Sequence, residues 1–156
     1  MRLLCDEMLK GVGRWLRAAG YDVAIVDAGA HDDQLLARAG AENRLLLTCD
    51  RRLGERAGVD ASVVVLGTEN FEGAAAELRD RLGIDWLHAP FTRCLLDNAP
   101  LVQANEQDLA KLPATARRGD GPVMRCPHCG RVYWSGSHVR RMLAMLRRAQ
   151  AAPQRD

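Results

Sequence analysis

Two groups of side chains in this 156-residue sequence could do chemistry. The first is acidic. Asp6 directly follows Arg2-Leu3-Leu4-Cys5, and Asp50 closes the run Leu45-Leu46-Leu47-Thr48-Cys49. Asp32 and Asp33 come after a third apolar stretch, residues 23–26. Clustered carboxylates repel one another unless a cation lies between them. Hard divalent ions such as Mg²⁺ or Mn²⁺ take oxygen ligands of this kind. Such an ion can activate water and steady the leaving oxygen of a phosphodiester. An Asp between a strand and a helix can equally be a simple N-cap. That alternative weighs most on Asp32 and Asp33 taken singly. Asp6 and Asp50, both at strand exits, point together to a site. Glu7 and Glu69 are further candidates, which ordinary surface placement would also explain.

The second group is sulfur-based. Cys126-Pro127-His128-Cys129-Gly130 has the form of a knuckle that offers two thiolates to one zinc ion. A structural zinc needs four ligands. Cys94-Leu95-Leu96-Asp97 repeats the spacing but supplies one sulfur, with Asp97 where a second Cys would stand. The fourth ligand is then Asp97, or His88, His128 or His138 by folding back. A Cys-Pro-His-Cys sequence also resembles a thiol-disulfide oxidoreductase motif, which opens a helix after a strand. Here Gly130-Arg131-Val132-Tyr133-Trp134 follows, a turn leading into a strand, and this context favours a ribbon. Cys5 and Cys49 lie in apolar runs and read as small core residues. Five cysteines without a secretion signal argue against a disulfide framework.

Charge is unevenly spread. The net +2 conceals a segment, residues 113–156, with nine Arg, no Lys and two Asp, so that it carries +7 against −5 for the rest. Arginine without lysine suits bidentate phosphate contacts. Arg125, Arg131, Arg140 and Arg141 are the candidates to hold a nucleic-acid backbone, in a basic stripe expected beside the acidic site. A solvated Arg-rich helix explains the same charge. No apolar run approaches the eighteen or so residues of a membrane span. The start, Met1-Arg2-Leu3-Leu4-Cys5-Asp6-Glu7, turns acidic too soon for a signal peptide, so a cytoplasmic address is expected.

These groups need a scaffold. Strands are expected at residues 2–5, 23–26, 44–48 and 62–66. Helices are expected at 8–19, from Asp32 or Asp33 as cap to 39, at 51–57 and at 71–82. Repeated β-α units of this length imply a parallel sheet covered by helices, with ligands beyond the carboxyl ends of the strands. Gly11-Val12-Gly13 lacks the third glycine of a dinucleotide fingerprint, and is better read as a helix start. After Pro90 the pattern loosens. Residues 104–112 suggest one short helix, 114–121 an exposed loop, and 138–149 a helix capped by Ser137. An α/β domain over 1–90 and a small ribbon-like module with a C-terminal helix over 91–150 are the expected divisions.

With both halves read, the chain resembles a known family. This is the PIN-like ribonuclease domain named after the C-terminus of the animal "Mut-seven" exonuclease, in which a zinc ribbon follows the PIN-like part. The matching stretches are Leu4-Cys5-Asp6-Glu7-Met8-Leu9, Trp15-Leu16-Arg17, Gly20-Tyr21-Asp22, Asp32-Asp33-Gln34-Leu35-Leu36 and Arg44 through Arg51. In the second half they are Arg93-Cys94, Asn98-Ala99-Pro100-Leu101, Cys126-Pro127-His128-Cys129 and Tyr133 through Met142. The resemblance implies a three-layer, PIN-like α/β/α fold and Mg²⁺- or Mn²⁺-dependent cleavage of RNA. It carries the acidic site onto Asp6, Asp32 or Asp33, and Asp50, with Asp6, Asp33 and Asp50 as the expected metal set. It carries zinc ligation onto Cys94, Cys126 and Cys129. Asp97 departs from the pattern, as does Cys49, which stands where the family usually has Arg. A non-catalytic nucleic-acid-binding module and a thiol oxidoreductase are the competing functions.

Overall fold

Each apolar run of the first half forms one strand of a parallel sheet, and each is followed by a helix. In a computed structural model that describes residues 1–57, 62–117 and 121–152, the strands are β1 (Arg2–Cys5), β2 (Asp22–Ile25), β3 (Leu45–Thr48) and β4 (Val63–Val65). The helices after them are α1 (Lys10–Ala18), α2 (Asp32–Ala41), α3 (Arg51–Ala57) and α4 (Phe71–Leu82). The strand order is β2-β1-β3-β4. Register aligns Ala24, Leu4, Leu46 and Val63 in one row across the sheet, and Ile25, Cys5, Leu47 and Val64 in the next. Side chains alternate faces along a strand, so these rows bury on opposite sides. The first row packs with Leu35 and Ala39 of α2 and Leu53 of α3. The second packs with Val12 and Leu16 of α1 and Ala74, Ala75 and Leu78 of α4. This double coverage explains why the strands read as continuous apolar runs.

Gly13 sits inside α1, where a Cβ would lie 2.9 Å from the Ile25 side chain and 3.2 Å from the Cys5 sulfur. Its role is close helix–sheet packing. Trp86 is fully buried just after α4, and its indole N–H donates to the Ala75 carbonyl at 3.1 Å.

The second half adds β5 (Val102–Gln103), α5 (Glu106–Ala110), α6 (Ala114–Arg117), β6 (Met124–Arg125), β7 (Val132–Tyr133) and α7 (Ser137–Ala151). β5, β6 and β7 form an antiparallel sheet, and Arg93 bridges Pro100. Cys94, Ala99, Leu101 and Cys126 make a small core of their own. The last helix leaves the ribbon and returns to the first half, where Leu146 and Ala149 join the main core.

Several local expectations need correction. α2 is preceded by His31, whose backbone N–H donates to the Gln34 side chain, so Asp32 and Asp33 lie in the first turn rather than at the cap. α7 has Gly136 at its N-cap, one residue before the expected Ser137. The segment expected as a loop from 114 begins with α6. Pro113 before two alanines favours a helical turn, and Ala116 is buried there; residues 118–120 lie outside the described residues. The one short helix expected within residues 104–112 is α5, over Glu106–Ala110. No helix among the described residues is long and apolar enough to cross a membrane.

Because Leu146 is fully buried in the main core, Leu146→Ala should lower unfolding stability by about 2–5 kcal/mol. Thermal or denaturant unfolding followed by two probes should show one coincident transition moved down. A loss under about 1 kcal/mol would mean that α7 is not part of this core.

Candidate functional site: an acidic cleft and a cysteine knuckle at opposite edges of the sheet

The carboxyl ends of β1, β2 and β3 open into a cleft of about 120 Å³ lined by Asp6, Glu7, Asp27, Asp32, Asp50 and apolar neighbours. Asp6 sits on the floor and is buried. Its Oδ1 accepts from the Leu9 backbone N–H at 3.0 Å, and its Oδ2 accepts from the Thr48 hydroxyl at 2.5 Å. Thr48, the fully buried last residue of β3, accepts in turn from the Asp50 backbone N–H at 2.9 Å. One hydroxyl therefore links the two strand-exit aspartates. Asp50 Oδ1 accepts from the Arg52 N–H at 2.8 Å, capping α3.

Of the sequence-derived acidic candidates, Asp6, Asp32 and Asp50 meet in this cleft, and Asp33 does not line it. Consecutive helical residues project about 100° apart, so only one of Asp32 and Asp33 can face inward. Asp33 is 80% exposed. Arg56 of α3 bridges both, reaching Asp32 at 2.9 Å and Asp33 at 2.5 Å. Glu7 lines the rim and accepts from the Gly29 N–H at 3.3 Å. Glu69 is not among the lining residues. Its charge is felt at Cys49, where burial first, then Asp6 and Glu69, push the thiol up. Asp27 also lines the cleft and is not among the sequence-derived candidates, although it stands just past β2, at a strand exit like that of Asp6.

The two Cys-x-x-x loops fold alike. The Cys94 N–H donates to the Ala99 carbonyl and the Cys126 N–H to the Arg131 carbonyl, both at 2.9 Å. Asn98 donates back to Cys94 at 3.1 Å, and Gly130 to Cys126 at 3.0 Å. Asn98 and Gly130 both take left-handed backbone angles, φ +68° and +71°. This repeat places Asp97 where Cys129 stands in the other loop. Ligand atoms of Cys94, Asp97, Cys126 and Cys129 all lie within 4.8 Å of one another. Tetrahedral zinc with bonds of about 2.3 Å needs sulfurs about 3.8 Å apart, and Cys94 Sγ is 3.7 Å from Cys129 Sγ. The set could hold a metal such as zinc. The histidines considered as a fourth ligand are not part of this group.

Electrostatics agree. Burial opposes the Asp97 carboxylate, but hydrogen bonds from the Cys126 and Cys94 thiols prevail and hold it down at about 2. At Cys129 a backbone hydrogen bond at Arg131 favours the thiolate. Burial and the Asp97 carboxylate override it and push the thiol up to about 12. The group thus carries one anion readily and resists more without a cation. The Cys126–Cys129 loop joins two strands and opens no helix, unlike an oxidoreductase motif.

The knuckle docks at the amino ends of the strands, away from the acidic cleft. The Asn98 side chain accepts from the outward N–H of Val23 at 2.9 Å and donates to Asp22 at 2.7 Å, both at the start of edge strand β2. Of the four arginines picked from the sequence, Arg125 pairs with Asp108 at 3.1 Å, off-line enough that its Nε–H makes no well-directed hydrogen bond. Arg131, Arg140 and Arg141 are exposed. Arg140 donates to the Ser135 carbonyl at 3.0 Å. The basic residues therefore gather with the ribbon and α7, not beside the carboxylates.

A family model, the Mut7-C RNAse domain, matches residues 1–146. The chain belongs to this family. Membership makes it a ribonuclease-type domain and RNA its implied substrate. Neither a curated protein nor a solved structure gives a match.

Thiolate is a softer and stronger zinc ligand than carboxylate. Asp97→Cys should therefore slow zinc release to a chelator by about tenfold or more, with zinc stoichiometry unchanged. Equal release rates from the two proteins would place Asp97 outside the metal shell.

Proposed function

We propose that this Mut7-C domain is a Mg²⁺- or Mn²⁺-dependent endoribonuclease with a PIN-like catalytic body. The observation that carries the reading is the meeting of Asp6, Asp32 and Asp50, from three separate β-α junctions, in one cleft at the carboxyl edge of the sheet. The donor set is all oxygen, as a hard divalent cation requires. Asp6, Asp32 and Asp50 would hold the ion, with Glu7 and Asp27 close enough to the same cleft to orient its waters. A divalent ion there supplies a water of lowered pKa and charge compensation at the leaving oxygen.

The protein's own part is orientation. Thr48 and the Leu9 N–H fix both oxygens of Asp6, and the Arg52 N–H fixes one oxygen of Asp50. Arg56 offsets the charge of Asp32 and would have to yield part of that contact when a cation binds. The cysteine knuckle, in this reading, takes a structural zinc that orders the ribbon. The exposed Arg131, Arg140 and Arg141 hold the RNA backbone, which an acidic body would otherwise repel. A caps-only role for the carboxylates has one observation in its favour, since Asp50 does cap α3.

The two roles separate on conservative variants. Asn caps a helix as well as Asp, so Asp50→Asn should leave stability within about 0.5 kcal/mol. Asp6→Asn can still accept from Leu9 and donate to Thr48. Each variant should lose at least about 100-fold in Mn²⁺-stimulated RNA cleavage, about 2.7 kcal/mol of barrier. Unchanged cleavage with a lowered melting temperature would leave only the caps.

Binding is tested by salt. Arg140→Ala with Arg141→Ala should flatten the slope of log K against log salt by roughly 0.7 per lost phosphate contact on single-stranded RNA. The loss should be similar across sequences, because phosphate contacts carry no base information. An unchanged slope would remove these residues from the RNA path.

A further inference from the structure

A cavity of about 630 Å³, several times the volume of the acidic cleft, lies between the ribbon and the start of α7, and nothing above gives it a role. Its walls come from Phe91, Leu95, Pro113, Val132, Trp134 and Met142, with Arg131, His138 and Arg140 among the remaining lining residues. No Asp or Glu lines it among the described residues. Arg2, Arg38, Arg44, Arg56, Arg79, Arg81 and Arg125 all pair with carboxylates. Among the described residues, Arg131 and Arg140 form no such pair, nor do Arg14, Arg17, Arg51, Arg52, Arg93, Arg141, Arg147 and Arg148, but of these only Arg131 and Arg140 line the cavity. The aromatic residues divide in the same way. Trp15, Phe71 and Trp86 pack ring to ring, as do Tyr21 and His88, whereas no ring partner is found for Phe91 or Trp134 among the described residues.

We propose that this cavity is a nucleotide-binding subsite that takes one base of single-stranded RNA among its apolar and aromatic walls, with the attached phosphate on Arg131 and Arg140. The inference rests on the ribonuclease reading for the identity of the polymer. Its size falls in the range of small-molecule sites, about 300–1,000 Å³. An apolar, ring-bearing wall beside unpaired guanidinium groups is complementary to a flat aromatic ligand carrying an anion. Single-strand binders combine these two elements, stacking platforms and a cationic track. The subsite belongs to the ribbon and α7, whereas the carboxylate cleft opens at the far edge of the sheet. The nucleotide held here is therefore not the one cut. It anchors the strand at a distance, so substrate length enters the apparent affinity.

The test uses the intact zinc-loaded chain without added Mg²⁺ or Mn²⁺. AMP, UMP, the matching nucleosides and a short single-stranded oligoribonucleotide are titrated calorimetrically. The monophosphates should saturate one site and compete with the oligonucleotide, and the nucleosides should bind more weakly. Trp134→Leu and Arg131→Ala should each weaken monophosphate binding by about tenfold or more, with zinc content and melting temperature as controls for folding. Asp6→Asn should bind like the wild type. No saturable monophosphate binding would overturn the proposal. So would nucleosides binding as well as monophosphates, or binding lost in Asp6→Asn and kept in Trp134→Leu. Failure of the ribonuclease reading would show differently, as absent Mn²⁺-stimulated cleavage with nucleotide binding intact.

Discussion

Arg17 is buried in the last turn of α1, and its guanidinium spends its hydrogen bonds on backbone carbonyls. It donates to Val23 at 2.9 Å on the body side and to Leu95 and Leu96 at 3.0 and 2.5 Å on the knuckle side. Burial lowers its pKa, while the nearby Cys94 and Asp97 act in the other direction. A buried cation is costly unless it is well bonded and sits beside negative charge. Arg17 meets both conditions only when the first knuckle lies against β2. Three thiolates and a carboxylate on one zinc would carry a net negative charge, which strengthens the same arrangement. Docking of the ribbon, and through it the path back to α7, thus draws on Arg17, whose bonds to Leu95 and Leu96 are made only in the assembled molecule, together with Asn98 on Val23 and Asp22.

That docking separates the two kinds of charge. Carboxylates collect where the strands end, because β-α junctions there bring Asp6, Asp27 and Asp50 around one cleft. Arg131, Arg140 and Arg141, which pair with no carboxylate among the described residues, lie on the ribbon and α7, toward the opposite rim. The body between them is thin: a four-residue strand spans about 13 Å. A nuclease arranged this way needs a substrate that extends from one rim to the other. It would bind by phosphate and base contacts at the ribbon and react at the cleft, so that affinity and chemistry come from different parts of the chain.

Much of this was legible in the sequence because it rests on local patterns. Four apolar runs separated by helical spacing specify the parallel sheet, and the strand-exit argument then picks out Asp6 and Asp50. The repeated loop spacing at 94–97 and 126–129 predicts two similar turns, and the structure brings all four side chains together. What was not legible depends on direction rather than identity. Helix phase around α2 decides between Asp32 and Asp33, and the sequence alone does not reveal it. Arg56 reaches both only because α3 lies beside α2. The basic segment was expected beside the acids, since charge alone does not say at which edge of a sheet a ribbon docks. Asn98 sets that edge by pairing with Val23 and Asp22, a contact across more than seventy residues of chain. Trp134 and Phe91 look like ordinary core residues until the cavity between them is seen.

A nuclease of this kind requires the cleft of Asp6, Asp32 and Asp50 to take a divalent cation. The most direct measurement is anomalous diffraction from crystals of the zinc-loaded protein soaked in Mn²⁺, collected on both sides of the manganese edge. A manganese peak bonded to oxygens of Asp6 and Asp50 is expected, with Arg56 withdrawn from Asp32. Manganese bound only elsewhere, or a cleft that keeps the Arg56–Asp32 pair in a protein that cleaves RNA under the same Mn²⁺ concentration, would contradict it.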